Sequence, residues 1–293
     1  MANSIVVRLC GVIVLLAIVA AGTGLFLYDE GKPYAFTTVR GETVNIYGQG
    51  LYHYDSLMAG SGQRGVDFVV LLFGIPLLVI AMLRYRRHTV RGGLLLIGAL
   101  SYFLYVYASQ SFGMAFNALF LVYVALFSTS FYTLILLVAT TNVPQLTSHF
   151  SDGLPHRAIG TFLVTSGLLT LAIWLEAPLR SLFTSQPPML LGHSTTLFTH
   201  ALDLAIIVPA AFISGMFVLR RDPRGYLIAF PLLVIIVMLV PTIISMTVCQ
   251  LYAGIVFTTA EWVGPITGFL VLGGIGIWII KKVLCRIPEG EGA

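Results

Sequence analysis

Long apolar runs alternate along the chain with short polar or basic stretches. A helix rises about 1.5 Å per residue, so about 20 apolar residues cross a bilayer core. Eight stretches qualify: 6–28, 66–83, 92–108, 114–139, 158–177, 201–219, 226–248 and 254–280. The first has leader-like features, with Arg8 ahead of the run and "VAAG" near its end. Its apolar run of about 20 residues exceeds the 7–15 of a leader's core, so it reads as the first membrane helix. The pattern predicts an all-α fold: a polytopic transmembrane bundle of about eight helices, forming one integral membrane domain over 1–293.

Composition agrees. Only 10% of the 293 residues are charged and 58% are hydrophobic, against roughly 25% charged in soluble domains. The charges also sort by end. With the N-terminus in the cytoplasm, eight crossings put 12 of the 16 basic residues inside and eight of the 12 acidic ones outside. That is the positive-inside arrangement. It predicts a multi-pass cell-membrane protein with both termini cytoplasmic, placed in a bacterial inner membrane. The basic excess, including "RYRRHTVR", is then a topology signal in contact with the lipid bilayer, not a nucleic-acid patch. Cys10, Cys249 and Cys285 form no CxxC spacing, which argues against a disulfide framework or a thiolate metal site.

Two outer segments have room for structure. The loop 29–65 contains "FTTVRGETVNIYGQGLYHYDS", which suits a short β-hairpin or an ordered cap. The segment 178–199 contains "SQPPMLLGHSTT" and has no clear periodicity. No Asn-x-Ser/Thr acceptor occurs.

Spans two and six are similar. Each has an aspartate at its outer end, a proline in the apolar run, and a basic cluster closing on Arg-Gly. Asp67 to Arg84 and Asp203 to Arg220 are both 17 residues, about 25 Å of helix. Aligned on the aspartates, the prolines miss: Pro76 lies nine residues on, Pro209 six. The comparison suggests two parallel four-helix halves, 1–140 and 157–286, a plan some transporters use. It also fits any two helices with a polar start and a basic end.

The residues able to carry chemistry gather at the outer face. His200 and Asp203 are spaced i, i+3 and share a helix face. Asp67 takes a similar place on span two. His193 and His53 lie in the outer loops, and Glu261 opens or enters span eight. Three readings stand. The carboxylates can cap helix N-termini with interfacial histidines beside them; the group can handle protons or ions; or three or more members can converge on a metal. Glu261 sits at the interface beside Trp262 or, if the helix starts near Gly254, lies buried, where a carboxylate needs a partner. Tyr102, Tyr105 and Ser109 are expected on one face of span three. Ser128, Thr129 and Ser130 of span four are expected to make interhelical hydrogen bonds or line a cavity. "LGGIGI" in span eight suits close helix packing. No GxSxG elbow, Walker loop or dinucleotide fingerprint is present, and no cofactor is implied.

"LYHYDS", "FLVYVALFS" and "HALDL" followed by "PAAF" resemble segments of uncharacterised multi-pass bacterial membrane proteins, over most of the chain after Tyr47. The resemblance implies an integral membrane protein and no substrate. Transport of a small solute or ion along a polar pathway is the leading expectation. A non-catalytic accessory, sensor or assembly role and a membrane-embedded enzyme are the alternatives.

Overall fold

The computed structural model describes residues 3–141, 153–222 and 224–287. Among them are eight helices long and apolar enough to cross a membrane: α1 Ser4–Phe26, α2 Leu57–Arg86, α3 Val90–Gly113, α4 Phe120–Thr140, α5 His156–Thr184, α6 Phe198–Leu219, α7 Arg224–Tyr252 and α8 Thr259–Arg286. One antiparallel hairpin, β1 (Tyr34–Thr37) and β2 (Thr43–Ile46), completes the fold, with Tyr34 opposite Ile46 and Thr37 opposite Thr43. The chain is an integral membrane protein built as an all-α bundle.

Helix α3 is the most buried of the eight and α8 the least. α3 packs on α2, α4 and α7; α7 also carries α2, α6 and α8; α5 lies on α6, and α1 closes against α2 and α4. α1 buries a stripe of Val6, Cys10, Ile13, Ala17, Ala20 and Ala21 against the bundle, so it is an integral part of the packing. Large apolar side chains elsewhere, such as Leu15, Leu121, Ile173 and Val271, remain exposed. Such a surface is at home only in lipid.

The end bearing the hairpin is called here the cap end, and the opposite one the basic end. At the basic end the Tyr85 hydroxyl accepts from Asn3 N at 3.1 Å, and Arg91 Nε donates to Ile287 O at 2.6 Å. These contacts bring the two described chain ends and the α2–α3 corner together.

The helices begin earlier than the apolar runs. Residues 57–65, expected in the outer loop, are the first turns of α2. Ser56 caps them, its hydroxyl accepting from Ala59 N at 3.1 Å. Their small and amide side chains are buried: Gly60, Ser61, Gly62 and Gln63 pack inward. A Cβ on Gly65 would stand 2.5 Å from Met246 N, so α2 and α7 touch backbone to backbone there. Hydropathy misses this turn because close packing of small residues supplies the contacts that bulky apolar groups supply elsewhere.

Two helices depart from α geometry in the same way. In α2 the segment Val70–Gly74 is a π-turn, and Ile75 N donates to the Val70 carbonyl five residues back. In α6 the segment Asp203–Ile207 is a π-turn, and Val208 N donates to the Asp203 carbonyl. A proline follows each turn, Pro76 and Pro209. Proline removes one helical donor and crowds the carbonyl four residues before it, and a widened turn accommodates that crowding.

Candidate functional site

Asp67 lies on α2 one turn toward the cap end from its π-turn, and it is 1% exposed. Tyr52, in the chain leading from the hairpin, donates its hydroxyl to Asp67 Oδ2 at 2.5 Å. Burial first, and then the neighbouring Asp67 carboxylate, push the Tyr52 phenol well above its ordinary range, which keeps it a donor. Gly24 of α1 makes room for the pair: a Cβ there would overlap Asp67 Oδ2 and stand 2.5 Å from the Tyr52 hydroxyl.

Gln63 of α2 and Gln110 of α3 reach the same carboxylate. They complete no hydrogen bond of normal geometry with it, and Gln63 Nε2 and both amide atoms of Gln110 are buried without a partner. The hydroxyls of Tyr102, Tyr107 and Tyr123 are buried and unpartnered nearby, and all three rings feel the Asp67 charge. Tyr107 and Tyr123 stack at 6.4 Å between centroids. Outward of this centre, Arg64 donates to the Leu25 carbonyl at 2.8 Å and to the Tyr47 hydroxyl at 3.2 Å. A crevice of about 190 Å³ lined by Gly24, Tyr47, Gly50, Tyr52 and Arg64 opens above it.

The second carboxylate is separate. Asp203 is 7% exposed and accepts from the Tyr105 hydroxyl of α3 at 3.0 Å. Trp174 of α5 lies against the same carboxylate and stacks on His200 at 4.3 Å between centroids. His200 and Asp203 do share a bundle-facing side, as their spacing predicts. Helix α3 stands between the two centres, presenting Tyr102, Tyr107 and Gln110 to Asp67 and Tyr105 to Asp203. The expectation of Tyr102 and Tyr105 on one face is therefore corrected: three residues apart, the rings turn to different neighbours, and only Ser109 follows Tyr105, donating to its carbonyl at 3.1 Å.

The remaining candidates do not join either centre. Glu261 is exposed and closes a capping box: Thr258 N donates to Glu261 Oε2 at 2.7 Å and the Thr258 hydroxyl does so at 2.8 Å. Its buried alternative fails because α8 starts at Thr259, five residues after Gly254. His53 contacts the rings of Tyr34 and Tyr54 in the cap. His193 faces the Tyr54 backbone, and burial lowers its pKa. Among the described residues no three His, Cys, Asp or Glu side chains could hold one metal ion.

Other expectations meet mixed outcomes. Thr129 bonds within its own helix, to Ala125 O at 2.6 Å, and Ser130 is buried without a partner. Gly273 and Gly276 do seat Val240 and Val237 of α7 closely.

The cap is ordered by three ties. Tyr47 N donates to Asp55 O at 2.8 Å; Asp55 Oδ1 accepts from Ala115 N at 2.8 Å; and the Arg40 guanidinium reaches the Gly192 and Ser194 carbonyls across the bundle end. Burial pushes the Asp55 carboxyl up to about 7, only partly opposed by the Ala115 N–H. Its Oδ2 is buried without a partner.

Sequence reasoning singled out Asp67 but missed its surroundings. Tyr52 was hidden in a loop, and Gln63 and Gln110 were passed over. Two amides inside otherwise apolar helices were the available signal. No family model, curated protein or solved structure matches the chain.

Proposed function

We propose that this integral membrane protein provides a proton or small-cation pathway, with Asp67 as its central ion-handling group and Asp203 as a second. One observation carries the reading: a carboxylate buried within a membrane span, surrounded by five tyrosine and glutamine side chains whose polar atoms are largely unpartnered. Burying each such group unsatisfied costs about 1–3 kcal/mol, and apolar packing would avoid that cost. A bundle that served only as a scaffold would gain nothing from it. Intramembrane carboxylates of this kind mark ion and proton routes. The positive-inside rule places the cap end outside a bacterial inner membrane and the basic end in the cytoplasm.

The test is flux in liposomes holding an entrapped pH dye, with a membrane potential imposed by potassium and valinomycin. Wild type is expected to acidify the lumen, or to take up sodium or potassium tracer. Asp67→Asn is expected to reduce the flux at least tenfold with an unchanged unfolding temperature. Absence of wild-type flux for all three ions, or full flux in Asp67→Asn, would overturn the reading.

A further inference from the structure

We infer that the protein carries two copies of one hinged proton site, in register at 133 residues, with His200 standing in the second copy where Asp67 stands in the first. The inference rests on the ion-handling reading for the identity of the ligand, and on the backbone for the pairing.

The π-turns fix the register. Val70–Gly74 and Asp203–Ile207 are each five residues long and begin 133 residues apart. The straight segments after them, Ile75–Arg86 and Val208–Leu219, have 12 residues each at the same interval. Each ends in a corner with a left-handed non-glycine residue, His88 and Arg221, both at φ 58°, again 133 apart. Four residues later, Gly92 and Gly225 each press on the preceding helix: a Cβ would meet Tyr85 N at 2.5 Å in one and Val218 N at 2.8 Å in the other, also equivalent positions.

Contacts between the halves are reciprocal. Gly65 of α2 meets Met246 of α7. At 133 residues from these stand Phe198 of α6 and Gly113 of α3, and they meet too, a Gly113 Cβ falling 2.9 Å from the Phe198 ring. A two-fold relation between halves produces such crossed pairs. Similarity of polar starts and basic ends does not.

In this register Asp203 corresponds to Val70, and the partner of Asp67 is His200. The prolines coincide, which the alignment on the two aspartates could not achieve. The local bonding agrees. The amide entering the first turn, Val70 N, is shared by the Asp67 and Val66 carbonyls. The one entering the second, Asp203 N, is shared by His200 and Thr199. Each site residue therefore holds, through its own backbone, the first amide of a turn with weakened helical bonding. A change in the charge of its side chain acts directly on that turn. Groups facing Asp67 are Tyr52, Arg64, Tyr102, Tyr107, Tyr123 and Cys249. Those beside His200 are Asp203 and, through it, Tyr105, with Trp174 stacked on the ring.

Hydrogen exchange on the full chain in nanodiscs of phosphatidylethanolamine and phosphatidylglycerol tests this. After correction for the intrinsic pH dependence of exchange, amides 70–75 and 203–208 in wild type are expected to differ at least threefold in protection between pH 5 and pH 8. Asp67→Asn should flatten the first window alone, and His200→Gln the second alone. A flat wild-type window, or a substitution acting on both windows or on neither, overturns the inference. So does a second window flattened by Asp203→Asn but not by His200→Gln. If a variant does not fold, the two wild-type windows still decide. The readout needs no transport. Responsive windows without liposome flux keep the paired sites and remove the pathway; flux with unresponsive windows does the reverse.

Discussion

Replacing Gly24 by alanine should damage the Asp67 centre, whereas the same change at Gly22, half a turn away, should not. A Cβ on Gly24 overlaps the Asp67 carboxylate and approaches the Tyr52 hydroxyl to 2.5 Å, while one on Gly22 meets nothing within 4 Å. Overpacking costs about 1–3 kcal/mol, and losing a hydrogen bond to a carboxylate about 1.5–3 kcal/mol more. Alanine's helix preference over glycine returns about 1 kcal/mol in both variants. The net is a loss on the order of 2–5 kcal/mol for Gly24→Ala and a gain of up to about 1 kcal/mol for Gly22→Ala. At about 2 °C per kcal/mol for a long chain, the unfolding midpoint should fall by roughly 4–10 °C in the first and hold or rise slightly in the second. Intrinsic fluorescence during heating in detergent micelles measures both. Equal midpoints for the two variants would refute the reasoning, since they share helix, residue type and propensity and differ only in what the new methyl meets.

Other outcomes are equally specific. Gly65→Ala should cost about 3 kcal/mol or more, because its methyl would face Met246 N and Ser245 C, backbone atoms with no room to rotate away; loss of folded protein in a solubilised-fraction assay checks this. The cap should loosen as pH rises. Asp55 titrates at about 7 in the folded protein and near 3.9 unfolded, so its stabilising proton is fully held below about pH 4 and lost through pH 7. The upper limit is on the order of 4 kcal/mol; hydrogen exchange of 43–56 between pH 4 and 8 should show the trend, and Asp55→Asn should abolish it. Thr258→Ala should cost about 0.5–2 kcal/mol as a lost cap, with liposome flux per folded molecule unchanged; altered flux would return Glu261 to the functional site.

Hydropathy found the eight spans because lipid leaves a chain few other options than apolar helices. It placed α2 too late because Gly60, Ser61 and Gly62 pack through smallness. Asp67, His200 and Asp203 stood out as polar groups at the mouths of apolar runs, and all three are buried and bundle-facing. Their separation by α3 was not legible, since it depends on which way each turn of α3 faces after the bundle closes. The π-turns were hidden as well. A proline announces a disturbed helix, but whether the disturbance becomes a kink or an extra residue in the turn is decided by packing on both sides. That extra residue is why aligning the aspartates gave the wrong partners: it changes the angular position of everything on the cap side by about 100°.

The corners at His88 and Arg221 bear on how the protein is made. Between Arg86 and Val90, and between Leu219 and Arg224, only a few residues reverse the chain, and each corner has a non-glycine residue in the left-handed region. A connection so short cannot stretch across a bilayer, so neither helix of a pair can settle before the other has left the translocation channel. Spans two and three, and likewise six and seven, must enter lipid as ready-made hairpins. Arg86, Arg87, Arg91, Arg220, Arg221 and Arg224 would hold the bend on the side where synthesis occurs. Lengthening either corner with a flexible insert would uncouple the two insertions, and the first sign of damage would be mixed topology in newly made chains, before any loss of stability in those correctly threaded.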